Sequence, residues 1–181
     1  MSAARPSLRA DARRNRDAVL VAAREVFAEQ GLDAPLDAVA RRAGVGRATL
    51  YRSFPTREDL VRASFDDNLE ALEALVAEHA DPDRAFEALL RTTAELQLRD
   101  LGFIELLARR GPDDAITHDI VERFLAVLRE PLRQAQAAGL VRADVAEDDA
   151  MLVVEMLGAA ARGGAGRNDR ALALLLDALA P

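Results

Sequence analysis

Val39-Ala40-Arg41-Arg42-Ala43-Gly44-Val45-Gly46-Arg47-Ala48-Thr49-Leu50-Tyr51-Arg52-Ser53-Phe54 is the stretch whose reading decides the fold. Gly44 divides two short segments, at a point where a tight turn requires a residue tolerant of positive φ. Ala40 is small where two helices would pack, and Val39, Val45 and Leu50 are apolar anchors that would fix their crossing. These are the parts of a helix-turn-helix. The spacing predicts its second helix from about Arg47 to Ser53, cut off by Pro55.

Working outward, Val19, Ala22, Ala23, Val26 and Phe27 fall on one face of a preceding helix, expected over Arg13 to Gln30 and stopped by Gly31. The next helix is expected to begin with Pro35 at its first position, with Asp37 in its first turn, and to end near Ala43. Thr56 to Asp59 has the form of a capping box. It opens a long helix striped by Val61, Phe65, Leu69, Leu72 and Val76, ending before Asp81 and Pro82. Phe86, Leu89, Leu90, Thr93 and Leu96 define a fifth helix, and Leu101 to Arg110 a shorter one that stops at Gly111-Pro112. A long helix is expected from Asp114 to Ala138, kinked or broken by Pro131 and closed by Gly139. Another starts within Asp144 to Asp149 and runs to Arg162. A glycine loop, Gly163 to Gly166, then leads to a last helix over Asn168 to Leu179. No segment asks to be a strand, so the fold class is all-α with about nine helices.

Composition excludes much chemistry. Among 181 residues all 24 cationic side chains are arginine, and cysteine and tryptophan are absent. Lysine-dependent Schiff bases and P-loops are therefore ruled out, as are thiol nucleophiles, disulfides and thiolate metal sites. The net charge of −7 divides unevenly. Residues 1–62 hold 12 Arg against 8 Asp+Glu (+4), and residues 63–181 hold 12 Arg against 23 Asp+Glu (−11). A basic head on an acidic body hints that one segment meets nucleic acid, although a charge run is also simply a solvated face. We expect two domains, 1–62 and 63–181, sharing the long helix near Thr56 to Glu78. No apolar run is long enough for a membrane span, and the first segment suits neither a signal nor a transit peptide. The expected setting is cytoplasmic, with no membrane partner.

Over residues 13–62 the sequence resembles the TetR family of bacterial transcription regulators. The resemblance is carried by Val26-Phe27-Ala28-Glu29-Gln30-Gly31-Leu32, by Val39 to Val45, and by Thr49-Leu50-Tyr51-Arg52-Ser53-Phe54-Pro55-Thr56-Arg57-Glu58-Asp59-Leu60. It implies a DNA-binding head on a helical body that binds a ligand and dimerises. The helix beginning Arg47-Ala48-Thr49 would lie in the major groove of a double-stranded operator, with Arg47 and Thr49 reading bases. Tyr51, Arg52, Thr56 and Arg57 would hold phosphates. Arg13, Arg14 and Arg16 would approach the backbone from the first helix or reach the minor groove as an arm. Two departures weaken helix caps: Ala34-Pro35 stands where the family has a hydroxyl residue, and Gly46 where it has serine.

The resemblance further implies a homodimer through the last two helices, about 146–162 and 168–179. Gly158 to Ala161 would allow close approach between subunits. The middle helices would enclose a site for an unknown small molecule, with Phe86, Leu90, Thr93, Phe103, Leu107, His118, Phe124 and Leu128 as candidate contacts. Read from periodicity alone, the same residues equally describe an ordinary core. His79 and His118 lack metal-ligand spacing, and the acidic clusters Asp113-Asp114 and Glu147-Asp148-Asp149 sit at helix starts, where negative charge is stabilising. No metal, cofactor or catalytic set is expected, and the function implied is a ligand-responsive repressor rather than an enzyme.

Overall fold

Helix-stop chemistry shapes the N-terminal third. In the computed structural model, which describes residues 8–111 and 113–181, α1 (Leu8–Gln30) ends at Gly31 with φ +78. Helix α2 (Leu36–Ala43) ends at Gly44 with φ +67, and α3 (Arg47–Ser53) follows after two residues. The amides of Gly44 and Val45 turn back onto the carbonyls of Arg41 and Ala40, which closes α2 and aims α3 across it. Pro35 is the N-cap of α2 rather than its first helical residue, and neither it nor Gly46 offers a side-chain cap. The Thr56–Asp59 capping box forms in full and starts α4 (Arg57–Glu78).

Among the described residues there are no strands, and nine α-helices complete the chain. After a 3-10 turn at Pro82–Arg84 come α5 (Ala85–Arg99), α6 (Leu101–Arg110), α7 (Ala115–Ala137), α8 (Glu147–Ala161) and α9 (Ala165–Leu179). Residues 1–7 and Pro112, hence the first arginine and half of the expected Gly111-Pro112 stop, lie outside the described residues.

Two expectations fail. Of the kink or break expected at Pro131, the break does not occur: α7 is continuous, and its flanking Leu128, Leu132 and Ala135 are all buried. Their packing in the body core offsets the hydrogen bond that proline removes. The last helix begins at Ala165, not Asn168, so Gly166 is helical. Asn168 is 1% exposed, and its amide donates to the Ala94 carbonyl of α5 (3.0 Å), which anchors the first turn of α9 inside the body.

Apolar residues gather in two main clusters. The head cluster joins α1, α2, α3 and the start of α4 around Val26, Val39, Leu50 and Leu60, and includes Leu106 of α6. The body cluster joins α5, α7, α8 and α9 around Phe86, Leu90, Leu128 and Leu157. Helix α4 contributes to both, as a shared strut.

Candidate nucleic-acid interface and ligand cavity

Of the seven residues of α3, Leu50 alone is buried, at 0% exposure, so one side chain seats the helix and the others face outward. Arg47, Ala48, Tyr51 and Arg52 are exposed, and Thr49 is half-buried. Arg47 is not free: its Nε lies 2.8 Å from Asp37 Oδ1 of α2, although its side chain is 71% exposed. The contact is one of charge rather than a hydrogen bond, since Asp37 Oδ1 has no hydrogen-bond partner among the described residues. Phe54 is buried, as a core residue should be.

The body holds a cavity of about 730 Å³, within the range of small-molecule sites. Its walls come from α4, α5, α6, α7 and α8, and are mostly apolar. Phe65 and Phe103 stack across one side with centroids 5.2 Å apart. Thr93 and Gln97 of α5 and Asp100, the residue between α5 and α6, form a polar line, spaced by about one turn each, and Asn68 and Thr117 join them.

At the corner between cavity and head lies a charged network. Asp100, 2% exposed, caps α6 by accepting from the Phe103 amide (3.3 Å). Arg24 of α1 approaches it to 3.6 Å, and donates to the Ser64 hydroxyl (2.9 Å) and to the Asn68 side chain (3.3 Å). Burial pushes the Asp100 carboxyl above the usual carboxylate range, against the opposing pull of Arg24.

Helix α6 touches both places. One face supplies Phe103, Ile104 and Leu107 to the cavity. The other clasps the loop between α1 and α2. Glu105 accepts from the Leu32 amide (2.9 Å), and Arg109 donates to both oxygens of Asp33 (2.9 and 2.8 Å). These bonds from Arg109 hold the Asp33 carboxyl below the usual carboxylate range. Their contribution is therefore present at neutral pH and lost only as pH falls through that lowered range. Gly102 makes the joint close: a Cβ there would meet Phe27 of α1 at 2.9 Å. Gly102→Ala should force α6 off α1 at a cost of about 1–3 kcal/mol, measured as a lowered urea midpoint.

With that geometry in place, comparisons with known proteins are decisive. Residues 19–64 match the bacterial regulatory proteins of the tetR family, and residues 81–181 match the C-terminal domain of SbtR-like transcriptional regulators. The chain belongs to the TetR family. It is 41% identical over 109 residues to the HTH-type transcriptional repressor LfrR of Mycolicibacterium smegmatis, covering 59% of this chain and 56% of that protein. Over 138 residues it is 30% identical to the HTH-type transcriptional regulator SrpR of Pseudomonas putida, covering 72% of this chain and 65% of the other. The chain thus spans less than two thirds of either relative. A TetR transcription regulatory protein from Mycobacterium vanbaalenii has a solved structure that superposes with a TM-score of 0.67. It is 36% identical, over 96% of this chain and 99% of that one.

Several candidate contacts of this TetR-family chain sit differently from the expectation. Arg13 and Arg14 are exposed on α1, which is helical from Leu8, so at these positions the chain is not an extended arm. Arg14 pairs with Asp11, and Arg16 with Asp67 of α4 (3.0 Å). The Thr56 hydroxyl donates to Asp59 (2.7 Å) within the capping box, and Arg57 turns inward to the Ala34 carbonyl (2.7 Å). In the chain without DNA both side chains thus have partners within the head. Arg42 braces α2 on α1 through Glu25 and Glu29, while Arg52 stays exposed.

Around the cavity the structure brings together Thr93, Phe103, Leu107, His118 and Phe124. Phe86, Leu90 and Leu128 do not line it; they are at most 1% exposed, in the closed core beneath. Periodicity finds the inward face of a helix, not the part of that face left uncovered. Sequence reasoning missed Asn68, Gln97, Asp100 and Thr117. The signal was there for two of them, since Gln97 and Asp100 continue the inward stripe of Thr93 at helical spacing. Of the small run expected between subunits, Gly158, Ala160 and Ala161 are buried against their own chain, with Ile104 3.3 Å from a Cβ on Gly158, and Ala159 is exposed. No described helix is long and apolar enough to cross a membrane.

Proposed function

We propose that the chain is a dimeric, ligand-responsive repressor acting in the cytoplasm, in which residues 1–62 bind operator DNA and residues 63–181 bind a small effector. The carrying observation is α3, seated by Leu50 and otherwise turned outward from Arg47 to Arg52. Arg47 and Thr49 read base edges in the major groove, and Tyr51 and Arg52, with Arg13 from α1, meet phosphates. Exposed Leu152 and Met156 on α8 and Leu174 on α9 mark the face that pairs with a second copy. A two-fold dimer then sets two copies of α3 about one helical turn apart, roughly 34–36 Å. Filling the cavity acts on α6, whose opposite face grips the head, and a ligand that favours one spacing of the heads shifts operator affinity by its preference for that form. That a relative is a transcriptional repressor, LfrR, supports the sign of the regulation.

The test is a fluorescence-anisotropy titration against DNA from upstream of the chain's own gene and against random DNA, over a range of salt. Specific DNA is bound by a dimer at least about 10³-fold more tightly, and both affinities fall steeply as salt rises. Equal affinity for the two DNAs overturns the repressor reading.

A further inference from the structure

The cavity is open on one side, and the opening runs along α8. Asp148, Leu152, Glu155 and Arg162 line it and are exposed, as are Ala108 of α6 and His118 of α7. Leu152 is 51% exposed, so it stands at the rim and on the outward face of α8 at once. One exposed leucine is ordinary, but Met156 lies a turn further along the same helix and Leu174 on α9, which extends the apolar surface left to water.

The sequence of α8 specifies what covers this surface. Its exposed row Asp148, Leu152, Glu155, Ala159, Arg162 steps by four and three residues, the spacing of a helix-pairing seam. The row is acidic at its start and basic at its end. The ion pairs of the neighbouring segment engage Glu122, Glu130, Asp144 and Glu147, and leave Asp148, Glu155 and Arg162 without a partner among the described residues. A second copy laid antiparallel, about a two-fold axis near Glu155 and Met156, sets Asp148 beside the partner's Arg162 and Leu152 beside the partner's Ala159, each contact occurring twice. A parallel pairing would set like charges together instead. These rim charges fix register more than affinity, and the small Ala159 lets the helices come close. We propose that a second copy seated in this register closes the mouth of the cavity, so that each effector site is completed by the other subunit. This rests on the chain being a dimer and on the cavity being its effector site. Filling the cavity and pairing then strengthen one another by the same factor.

The chain has no cysteine, so thiols placed on α8 are its only ones. In this register residues 152 and 159 of opposite copies face each other. Two copies of either residue alone lie about 10 Å apart along the axis, at a rise of ~1.5 Å per residue, beyond the reach of a disulfide. Leu152→Cys combined with Ala159→Cys should give a covalent dimer on non-reducing electrophoresis, and neither single variant should. If a single variant cross-links as well as the double, or the double fails while the unaltered chain sediments as a dimer, the register falls and the dimer stands. If the unaltered chain sediments as a monomer at micromolar concentration, both fall. Closure is read by the release of N-phenyl-1-naphthylamine, a neutral probe that brightens in apolar surroundings. Met156→Glu places like charges across the axis and should yield monomers, and Met156 does not line the cavity. Stopped-flow release from that monomer should be at least about tenfold faster than from the dimer. Equal rates, or no binding to either form, overturn closure. The unaltered chain, diluted until it sediments as a monomer, gives the same comparison if the variant does not fold.

Discussion

Changing Arg47 to Ala in both subunits lowers specific operator affinity by roughly 2–6 kcal/mol, about 30-fold to 10⁴-fold, since each bidentate base contact is worth ~1–3 kcal/mol and a dimer makes two. Affinity for random DNA changes far less, and the salt slope is nearly kept, because phosphate contacts elsewhere remain. The fold should be indifferent, for the Arg47 side chain is 71% exposed. Asp37 sharpens this test. It holds Arg47 in place at 2.8 Å and sets a negative charge near the approaching backbone. Asp37→Ala therefore raises affinity for random DNA and narrows the gap between operator and random sequences. Anisotropy titrations of both variants, each against both DNAs, check the pair. An Arg47→Ala variant that loses equal affinity for both sequences would assign Arg47 to phosphate instead.

The second large effect concerns stability. Arg24→Leu leaves the Asp100 carboxylate buried with its capping bond and the amide of Asn68 but without its cation. Breaking a buried pair costs ~3–5 kcal/mol. Because the Arg24 side chain retains 23% exposure, we expect about 3 kcal/mol, the low end of that range. The pH dependence has a definite sign. Burial already raises the Asp100 carboxyl in the folded state, and removing Arg24 raises it further. A raised carboxyl favours folding below its unfolded value and loses that advantage as pH rises through the folded one. The deficit of the variant is thus greatest at neutral pH and shrinks as pH falls toward the ordinary carboxylate range. Adding Asp100→Asn should restore much of the loss at neutral pH, since a neutral side chain carries no charge to bury. Urea unfolding at two pH values reads all three outcomes.

The head was legible because its rules are local. Gly44 needs positive φ, Thr56 and Asp59 cap each other three residues apart, and Leu50 is the one apolar residue on the inner side of a short helix. Each rule spans a few residues and is written in their order. Arg57 shows the limit even there. Its type and position suit a phosphate contact, but the Ala34 carbonyl, far away in sequence, claims it. In the body the helices were legible and their roles were not. Leu90 and Thr93 share one stripe of α5, yet Leu90 is sealed in the core and Thr93 lines open space. A void is where neighbouring helices fail to meet, and no single helix records that. Pro131 and Asn168 misled for a related reason: tertiary packing overrode the breaker rule at one and placed the other inside a helix.

Tyr51 has an optical consequence. The chain has one tyrosine and no tryptophan, and that tyrosine is 40% exposed on α3. Excited beyond the phenylalanine band, the emission of the whole molecule therefore arises from a ring on its outward helix, which supplies no wall of the cavity. Operator binding can be followed by the quenching of that ring without attaching any dye, and ligands can be titrated into the body under the same light without touching the reporter.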